Sequence, residues 1–185
     1  WTWKIGGILL HTHQLHRSIK ILLVNELFYW ERLLSVLQQP MTTYRGYRLD
    51  PFQSNAIEAL SKGQSVLVSA PTGTGKTLIA DYLVDRAFHG GEQVVYTAPI
   101  KALSNQKFKE FKELLGEEHV GILTGDIVVN PQATVLIMTT EIFRNLLHTD
   151  RGRLADVGYV IFDEIHYIDD PVRGSVWEES LIFMP

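Results

Sequence analysis

The strongest constraint on the fold is a glycine-containing segment between an apolar run and a helical pattern. Residues 65–69 form a short apolar run with β-branched side chains, which predicts a strand buried in a parallel sheet. The next eight residues, 70–77, read Ala-Pro-Thr-Gly-Thr-Gly-Lys-Thr. Apolar residues then recur at helical spacing over 78–87. A strand, a glycine turn and a helix in this order predict a phosphate-binding loop.

The residue types of this loop suit a nucleoside triphosphate that is bound together with Mg²⁺. Glycines at positions 73 and 75 allow backbone N–H groups to approach phosphate oxygens closely. Lys76 adds a full positive charge near the β- and γ-phosphates, and the Thr77 hydroxyl is placed to bind Mg²⁺. The positive end of the following helix faces the same phosphates. We therefore expect ATP and Mg²⁺ as cofactors, with nucleotide contacts from Thr72, Gly73, Thr74, Gly75, Lys76 and Thr77.

The rest of the chain alternates between strand and helix patterns. Strands are predicted at 93–97, 120–123, 133–138 and 159–162, and helices at 101–115 and 140–147. This alternation predicts an α/β fold with a doubly wound, mainly parallel sheet. Ligands of such sheets bind at the carboxyl ends of the strands. Residues that directly follow a strand are therefore expected near the phosphate-binding loop.

Two carboxylates follow the last predicted strand. Asp163 and Glu164 come directly after residues 159–162, at the edge where the phosphates are expected. We assign Asp163 to Mg²⁺, partly through water, and Glu164 to orienting and deprotonating the attacking water. Together with Lys76 they are the predicted catalytic residues, and an acidic turn with a structural role is the alternative. His166 either couples the nucleotide to a neighbouring domain or packs locally.

Residues 1–40 differ in composition from residues 41–185. They carry four basic and two acidic residues, so the net charge of −4 divides into +2 for the first part and −6 for the second. No helix breaker occurs between Gly7 and Pro40, and we expect a helical N-terminal extension of unknown role. A second hypothesis is that this segment is upstream sequence joined to a domain that begins near Met41.

Composition narrows the function classes further. The chain has no cysteine, which excludes a disulfide framework and a thiolate zinc site. His11, His13 and His16 lack a carboxylate at motif spacing and therefore favour a polar helix face over a metal site. No run approaches the ~18 apolar residues that span a bilayer, and these histidines interrupt any signal peptide. We expect an intracellular, cytoplasmic protein with no membrane partner.

With these motifs placed, residues 44–185 resemble the DExH-box helicases of superfamily 2. Within them, the chain is similar to the superkiller-type branch of antiviral and exosome-associated RNA helicases. Besides the phosphate-binding loop, the resemblance is carried by residues 49–53, 96–107, 123–126, 138–142, 162–167 and 173–179. The last is the most discriminating, because DNA-repair helicases of the wider family do not usually carry its Arg-Gly to Trp-Glu-Glu pattern. The resemblance implies a RecA-like P-loop NTPase domain over residues 41–185.

The resemblance also implies contacts to the base and to a nucleic acid. It implies that Gln53 reads adenine, because an amide offers both a donor and an acceptor, and that Tyr47 stacks on the base. Ordinary roles in a loop and at a helix start are the alternative for these two residues. The segments that track a single strand in this family match Pro99, Lys101, Asn105, Gln106, Thr124, Gly125, Thr139, Thr140 and Arg144. Their hydroxyls, amides and cations suit phosphate and sugar contacts, which position a strand without reading its sequence. Ordinary capping and surface roles are the alternative for each.

The motor of this family has two RecA-like domains with ATP between them. We expect the second domain and its arginine finger elsewhere in a longer protein, since Arg151 and Arg153 lie in a different context. Arginine fingers contribute about 10³–10⁵ in rate, so the isolated chain is expected to bind ATP·Mg²⁺ weakly and to be nearly inactive.

The predicted function is the motor domain of an ATP-dependent RNA helicase. Such a domain couples ATP hydrolysis to translocation on single-stranded RNA and to duplex unwinding. A DNA helicase or translocase is one alternative, because contacts to the nucleic-acid backbone alone do not distinguish RNA from DNA. A nucleotide-binding scaffold without turnover is the other.

Overall fold

The computed structural model describes residues 2–5, 8–11, 20–25 and 43–184, with the backbone alone before residue 43. The strands are β1 Thr2–Ile5, β2 Ile8–His11, β3 Lys20–Asn25, β4 Thr43–Tyr44, β5 Tyr47–Arg48, β6 Val66–Ser69, β7 Gln93–Ala98, β8 Val120–Leu123, β9 Val128–Val129, β10 Val135–Thr139 and β11 Val157–Phe162. The α-helices are α1 Pro51–Ser61, α2 Thr77–Gly90, α3 Lys101–Leu115, α4 Thr140–Thr149 and α5 Gly174–Ile182. Short 3₁₀ helices cover Glu117–His119, Arg151–Leu154 and Ile165–Asp169.

The central sheet has seven strands in the order β6-β3-β11-β7-β10-β8-β9. All neighbouring strands run parallel except β8 and β9, which are antiparallel. The inner strands are largely apolar because helices cover both faces; every residue of β10 is buried. The predicted doubly wound, mainly parallel sheet is confirmed.

Two apolar cores lie on opposite faces of the sheet. On one face, Tyr96 and Tyr159 pack with Phe111 and with residues of α1 and α2. On the other face, residues of α4 and α5, among them Phe143 and Trp177, pack against the alternate strand residues. Each large apolar side chain that is fully buried contributes roughly 1.5–3 kcal/mol. These cores fix the strands, so the loops at the strand ends are held on a rigid frame.

Residues 1–40 depart from the predicted helical extension. The described parts of this range are strands, and β3 lies inside the central sheet, paired with both β6 and β11. The run Lys20–Asn25 is six residues long and largely apolar, and such a run suits a buried strand as well as a helix. The predicted boundary near Met41 therefore does not separate β3 from the sheet. Of the three histidines, His11 ends β2, and His13 and His16 lie outside the described residues.

Within the residues that the structure describes, no helix combines the length and the apolar character needed to cross a bilayer.

Candidate nucleotide-binding site and nucleic-acid interface

The register of the sheet places the phosphate-binding loop and the two carboxylates at one edge. Leu23 of β3 pairs with Phe162 at the end of β11 and with Leu67 near the end of β6. Asp163 is therefore level with Val68, and the loop begins two residues further along. With strands ~4.8 Å apart, the axes of β6 and β11 are about 10 Å from each other. A triphosphate with its metal spans such a gap.

The backbone of the loop has the conformation that its glycines allow. Gly73 and Gly75 both have φ of +81°, in the left-handed region that side chains disfavour. Helix α2 begins immediately afterwards at Thr77, so its N-terminal end lies at the loop. Lys76 donates from Nζ to the carbonyl oxygens of Ala70 (2.6 Å) and Pro71 (2.9 Å). Because both acceptors are neutral carbonyl oxygens, these hydrogen bonds do not neutralise the positive charge of Lys76, which can therefore attract an anion.

Gln53, the predicted adenine reader, connects helix α1 to this loop. Its side chain is buried, and Oε1 accepts a hydrogen bond from the backbone N–H of Asp50 at 2.8 Å. Nε2 donates to the carbonyl oxygens of Gly75 (3.0 Å) and Thr74 (3.3 Å). The NH₂ group that was expected to donate to adenine is thus engaged within the chain, and only the oxygen has a lone pair left for a further partner.

Tyr47, the predicted stacking residue, is exposed in a small hairpin formed by β4 and β5, directly after its turn. The hairpin is anchored to α2 through Asp85. The hydroxyl of Tyr44 and the guanidinium of Arg45 both donate to that carboxylate, the latter at 2.6 and 3.1 Å. Burial, and then Asp85, raise the pKa of Tyr44, so its hydroxyl keeps its proton. The Tyr44 ring also packs edge-on against Tyr82, and the hairpin thereby holds Tyr47 free of the core.

Asp163 is held in a fixed orientation at the end of β11. Its Oδ2 accepts a hydrogen bond from the Tyr96 hydroxyl at 2.6 Å, and its Oδ1 accepts one from the backbone N–H of Glu164 at 3.0 Å. The backbone N–H of Asp163 donates to Thr97 at 3.0 Å. Burial, and then the neighbouring carboxylate, raise the pKa of Tyr96, so its hydroxyl remains a donor at every physiological pH.

Glu164 turns the chain out of the sheet. It has φ of +53°, which is uncommon for a residue with a side chain and is found at functional sites. His166 places Nδ1 3.1 Å from a carboxylate oxygen of Glu164, although the two groups lack the alignment of a hydrogen bond. The His166 ring also lies against Tyr167, at 5.0 Å between centroids. The structure thus brings Asp163, Glu164 and His166 together in one turn.

The donor set of this edge fits a magnesium ion. Mg²⁺ prefers oxygen ligands and takes one or two carboxylates from the protein and the rest from phosphates and water. Asp163 and Thr77 supply such oxygens at the ends of the two strand–turn segments. No group of three or more histidine or acidic side chains that could hold a metal occurs within the described part of the chain.

The residues predicted to contact a nucleic acid follow β7, β8 and β10, three neighbouring strands at the same edge. They are distributed over the β7–α3 turn and α3 (Pro99, Lys101, Asn105, Gln106), the end of β8 (Thr124, Gly125) and the β10–α4 junction (Thr139, Thr140, Arg144). Lys101, Gln106 and Gly125 are exposed, whereas Pro99 and the three threonines are buried. The exposed members form a surface beside the nucleotide site.

Several of these side chains already have partners within the chain. Lys101 pairs with Asp126 at 2.8 Å, and the Thr124 hydroxyl donates to the same carboxylate at 2.9 Å. The hydrogen bonds from Lys101 and then Thr124 lower the pKa of Asp126. Arg144 lies 3.3 Å from the carboxylate of Glu179 in α5. A nucleic acid that contacts Lys101 or Arg144 has to share these cations with a carboxylate.

Sequence analysis assigned no role to Arg173, although its segment is the most discriminating part of the resemblance. Its guanidinium donates to the carbonyl oxygen of Pro99 and, at 2.6 Å, to the carboxylate of Glu141. It also lies over the rings of Tyr167 and Trp177, at 5.4 and 5.6 Å from their centroids. Arg173 thus ties the turn after β7 and the start of α4 to the 3₁₀ helix that follows the acidic pair. The spacing of Arg173 and Trp177, one helical turn, was the available signal.

A parallel sheet with a phosphate-binding loop and strand-terminal carboxylates at one edge defines the class of P-loop nucleotide-binding domains. Comparison with known proteins gives the family. The model of the DEAD/DEAH box helicase family matches residues 50–185, and the chain belongs to that family.

Individual relatives agree with this assignment. The antiviral helicase SKI2 of Saccharomyces cerevisiae is 48% identical over 75% of this chain, and the ATP-dependent RNA helicase mtr4 of Schizosaccharomyces pombe is 49% identical over 79%. The chain spans 11% and 13% of the length of these two relatives. Among solved structures, the Mycobacterium smegmatis helicase Lhr, bound to ssDNA and AMP-PNP, is similar with a TM-score of 0.57. It is 32% identical over 71% of this chain and 20% of its own. The expected DExH-box resemblance and RecA-like fold are thereby confirmed.

Proposed function

We propose that this chain is the ATP-binding motor domain of an ATP-dependent RNA helicase. The observation that carries the proposal is the common edge of β6 and β11, which holds Lys76 and Thr77 on one side and Asp163 and Glu164 on the other. Within this proposal a second RecA-like domain of the same protein closes over the nucleotide. Single-stranded RNA runs along the neighbouring strand ends.

Each residue has a distinct role in the proposed reaction. Lys76 leaves the carbonyl oxygens of the loop to bind the β- and γ-phosphates, and the N–H groups around Gly73 and Gly75 bind the phosphate oxygens. Thr77 and Asp163 hold Mg²⁺, which neutralises charge on the phosphates when it is bound. Glu164 accepts a proton from the attacking water. Gln53 and Tyr47 position the base.

RNA is favoured over DNA by two relatives named as an antiviral and an RNA helicase, at 48% and 49% identity. The Lhr structure contains ssDNA, but the identity is lower at 32%. Backbone contacts alone leave both polymers possible, because only contacts to the 2′-OH distinguish them. A DNA translocase is therefore the second candidate.

The first experiment measures binding of a fluorescent ATP analogue to the 185-residue chain. We expect Mg²⁺-dependent binding that Lys76→Ala weakens more than tenfold, because a full charge next to the phosphates is lost. Glu164→Gln is the matched control, since the proposal gives its side chain a role in hydrolysis and not in phosphate binding, so binding should persist. Equal binding by wild type and Lys76→Ala would exclude the proposed site.

Turnover and polymer preference are measured in the protein that includes a second RecA-like domain. We expect ATP hydrolysis that single-stranded RNA stimulates more than single-stranded DNA of the same sequence, and that Glu164→Gln abolishes. Stimulation by DNA alone would favour the translocase. Binding of ATP without any hydrolysis would favour the alternative of a nucleotide-binding scaffold without turnover.

A further inference from the structure

Tyr96 is a buried polar group next to the proposed metal site that has no part in the reaction as described so far. Its side chain is 1% exposed, and its ring packs against Phe111 in the core beneath the sheet edge. The hydroxyl at the far end of the ring donates to Oδ2 of Asp163 at 2.6 Å. Strand β7, which carries Tyr96, lies directly beside β11.

The second oxygen of the same carboxylate is fixed as well. Oδ1 of Asp163 accepts a hydrogen bond from the backbone N–H of Glu164. A carboxylate with one donor on each oxygen cannot rotate about its terminal bond without breaking a hydrogen bond. Each oxygen still keeps one lone pair for a ligand. The two donors therefore set the direction in which Asp163 presents its remaining lone pairs.

The donor on Oδ2 is expected to be strong and permanent. A hydroxyl that donates to a carboxylate makes a charge-assisted hydrogen bond, which is stronger than one between neutral groups. The Tyr96 ring is immobilised by its packing in the core, so the hydroxyl stays directed at this oxygen. By contrast, phenylalanine at this position would fill the same volume and leave Oδ2 without that donor.

We propose that Tyr96 is a positioning residue for Mg²⁺, which acts by orienting the carboxylate of Asp163 toward the metal. The inference rests on the proposed function, because it requires ATP·Mg²⁺ at this edge. Hydrogen-bond partners of metal ligands commonly affect metal affinity by about 10–100-fold. Tyr96 also links the metal site to β7, the strand that leads into the turn of Pro99 and the candidate nucleic-acid surface.

The test is the Mg²⁺ dependence of ATP-analogue binding by the 185-residue chain. We expect Tyr96→Phe to raise the Mg²⁺ concentration for half-maximal binding about tenfold, and to leave binding without Mg²⁺ nearly unchanged. Tyr159→Phe is the matched control. Tyr159 is equally buried in the same core, but its hydroxyl interacts with Arg86. A purely structural role of Tyr96 would lower the stability of Tyr96→Phe without changing its Mg²⁺ requirement.

A second measurement covers the case in which Tyr96→Phe does not fold. Incorporation of 3-fluorotyrosine at position 96 keeps the ring and the hydroxyl, and its ¹⁹F signal should move when Mg²⁺ is added to the ATP-analogue complex. A signal that Mg²⁺ leaves unmoved, or an unchanged Mg²⁺ requirement in folded Tyr96→Phe, would overturn the inference. If the wild type itself binds no ATP analogue with Mg²⁺, the proposed function fails instead.

Discussion

Gly73 and Gly75 differ in their surroundings although they share the same backbone conformation. Both have φ of +81°, which costs any residue with a Cβ roughly 1–2 kcal/mol. A Cβ on Gly75 would lie 2.7 Å from Nε2 of Gln53, whereas a Cβ on Gly73 would have no neighbour within 4 Å. Of these two glycines, only Gly75 lies so close to the amide of Gln53 that an added Cβ would collide with it.

We predict that Gly75→Ala lowers the free energy of unfolding more than Gly73→Ala does. Both variants carry the cost of the left-handed conformation, and Gly75→Ala also displaces Gln53 from its hydrogen bonds with the loop. Removing those bonds adds about 1–3 kcal/mol for buried groups left unpaired. Denaturant unfolding of the two variants measures the difference. Equal destabilisation would mean that Gln53 does not support the loop.

For individual residues, sequence analysis found those whose role depends only on their neighbours in the sequence. Gly73, Gly75 and Lys76 act within eight consecutive positions, and their types alone predict the conformation that the structure has. Tyr96 could not be found in this way, because its partner Asp163 is 67 positions away. A tyrosine within an apolar strand pattern indicates only a core residue until the register of the sheet is known.

Strand β3 is the element in which the structure differs most from the sequence prediction, because its residues were expected to be helical. Within the described residues, β6 has no other neighbour in the sheet, so the strand that carries the phosphate-binding loop joins β11 only through β3. The six-residue run of β3 predicts a strand or a helix equally well, and only its pairing with β6 and β11 decides. Helix α5 was also missed. It opens with Gly174, a poor helix former, and is stabilised by burial of Trp177.

We predict that Leu22→Pro weakens both the fold and nucleotide binding. Proline has no N–H to donate in the sheet, and an unpaired buried carbonyl costs about 1–3 kcal/mol. Leu22 pairs with Ile161 of β11 and Val66 of β6, so the loss falls between the two halves of the site. Leu22→Ile keeps the N–H and serves as the control. If Leu22→Pro left the free energy of unfolding and the affinity for the ATP analogue unchanged, residues 1–40 would be an extension that does not contribute to the fold of the domain.

Across the whole molecule, the carboxyl edge of one sheet carries both candidate sites. The nucleotide site lies at β6 and β11, and the candidate nucleic-acid surface follows β7, β10 and β8. Tyr96 and Arg173 are the contacts that join them, the first through Asp163 and the second through Pro99 and Glu141. The alternation of strands and helices was enough to predict that the two sites share an edge. The hydrogen bonds of Tyr96 and Arg173 that connect the two sites join residues far apart in the sequence, so residue spacing could not predict them.

The central claim is that the loop of residues 70–77 and the pair Asp163 and Glu164 surround one metal–nucleotide complex. NMR spectra of the chain with a non-hydrolysable ATP analogue test it directly, with paramagnetic Mn²⁺ compared against Mg²⁺. We predict that Mn²⁺ broadens the amide signals of Gly75, Lys76, Asp163 and Glu164 together, and that Lys76→Ala removes the effect. Broadening of only one of these two segments, or of neither, would contradict a shared site.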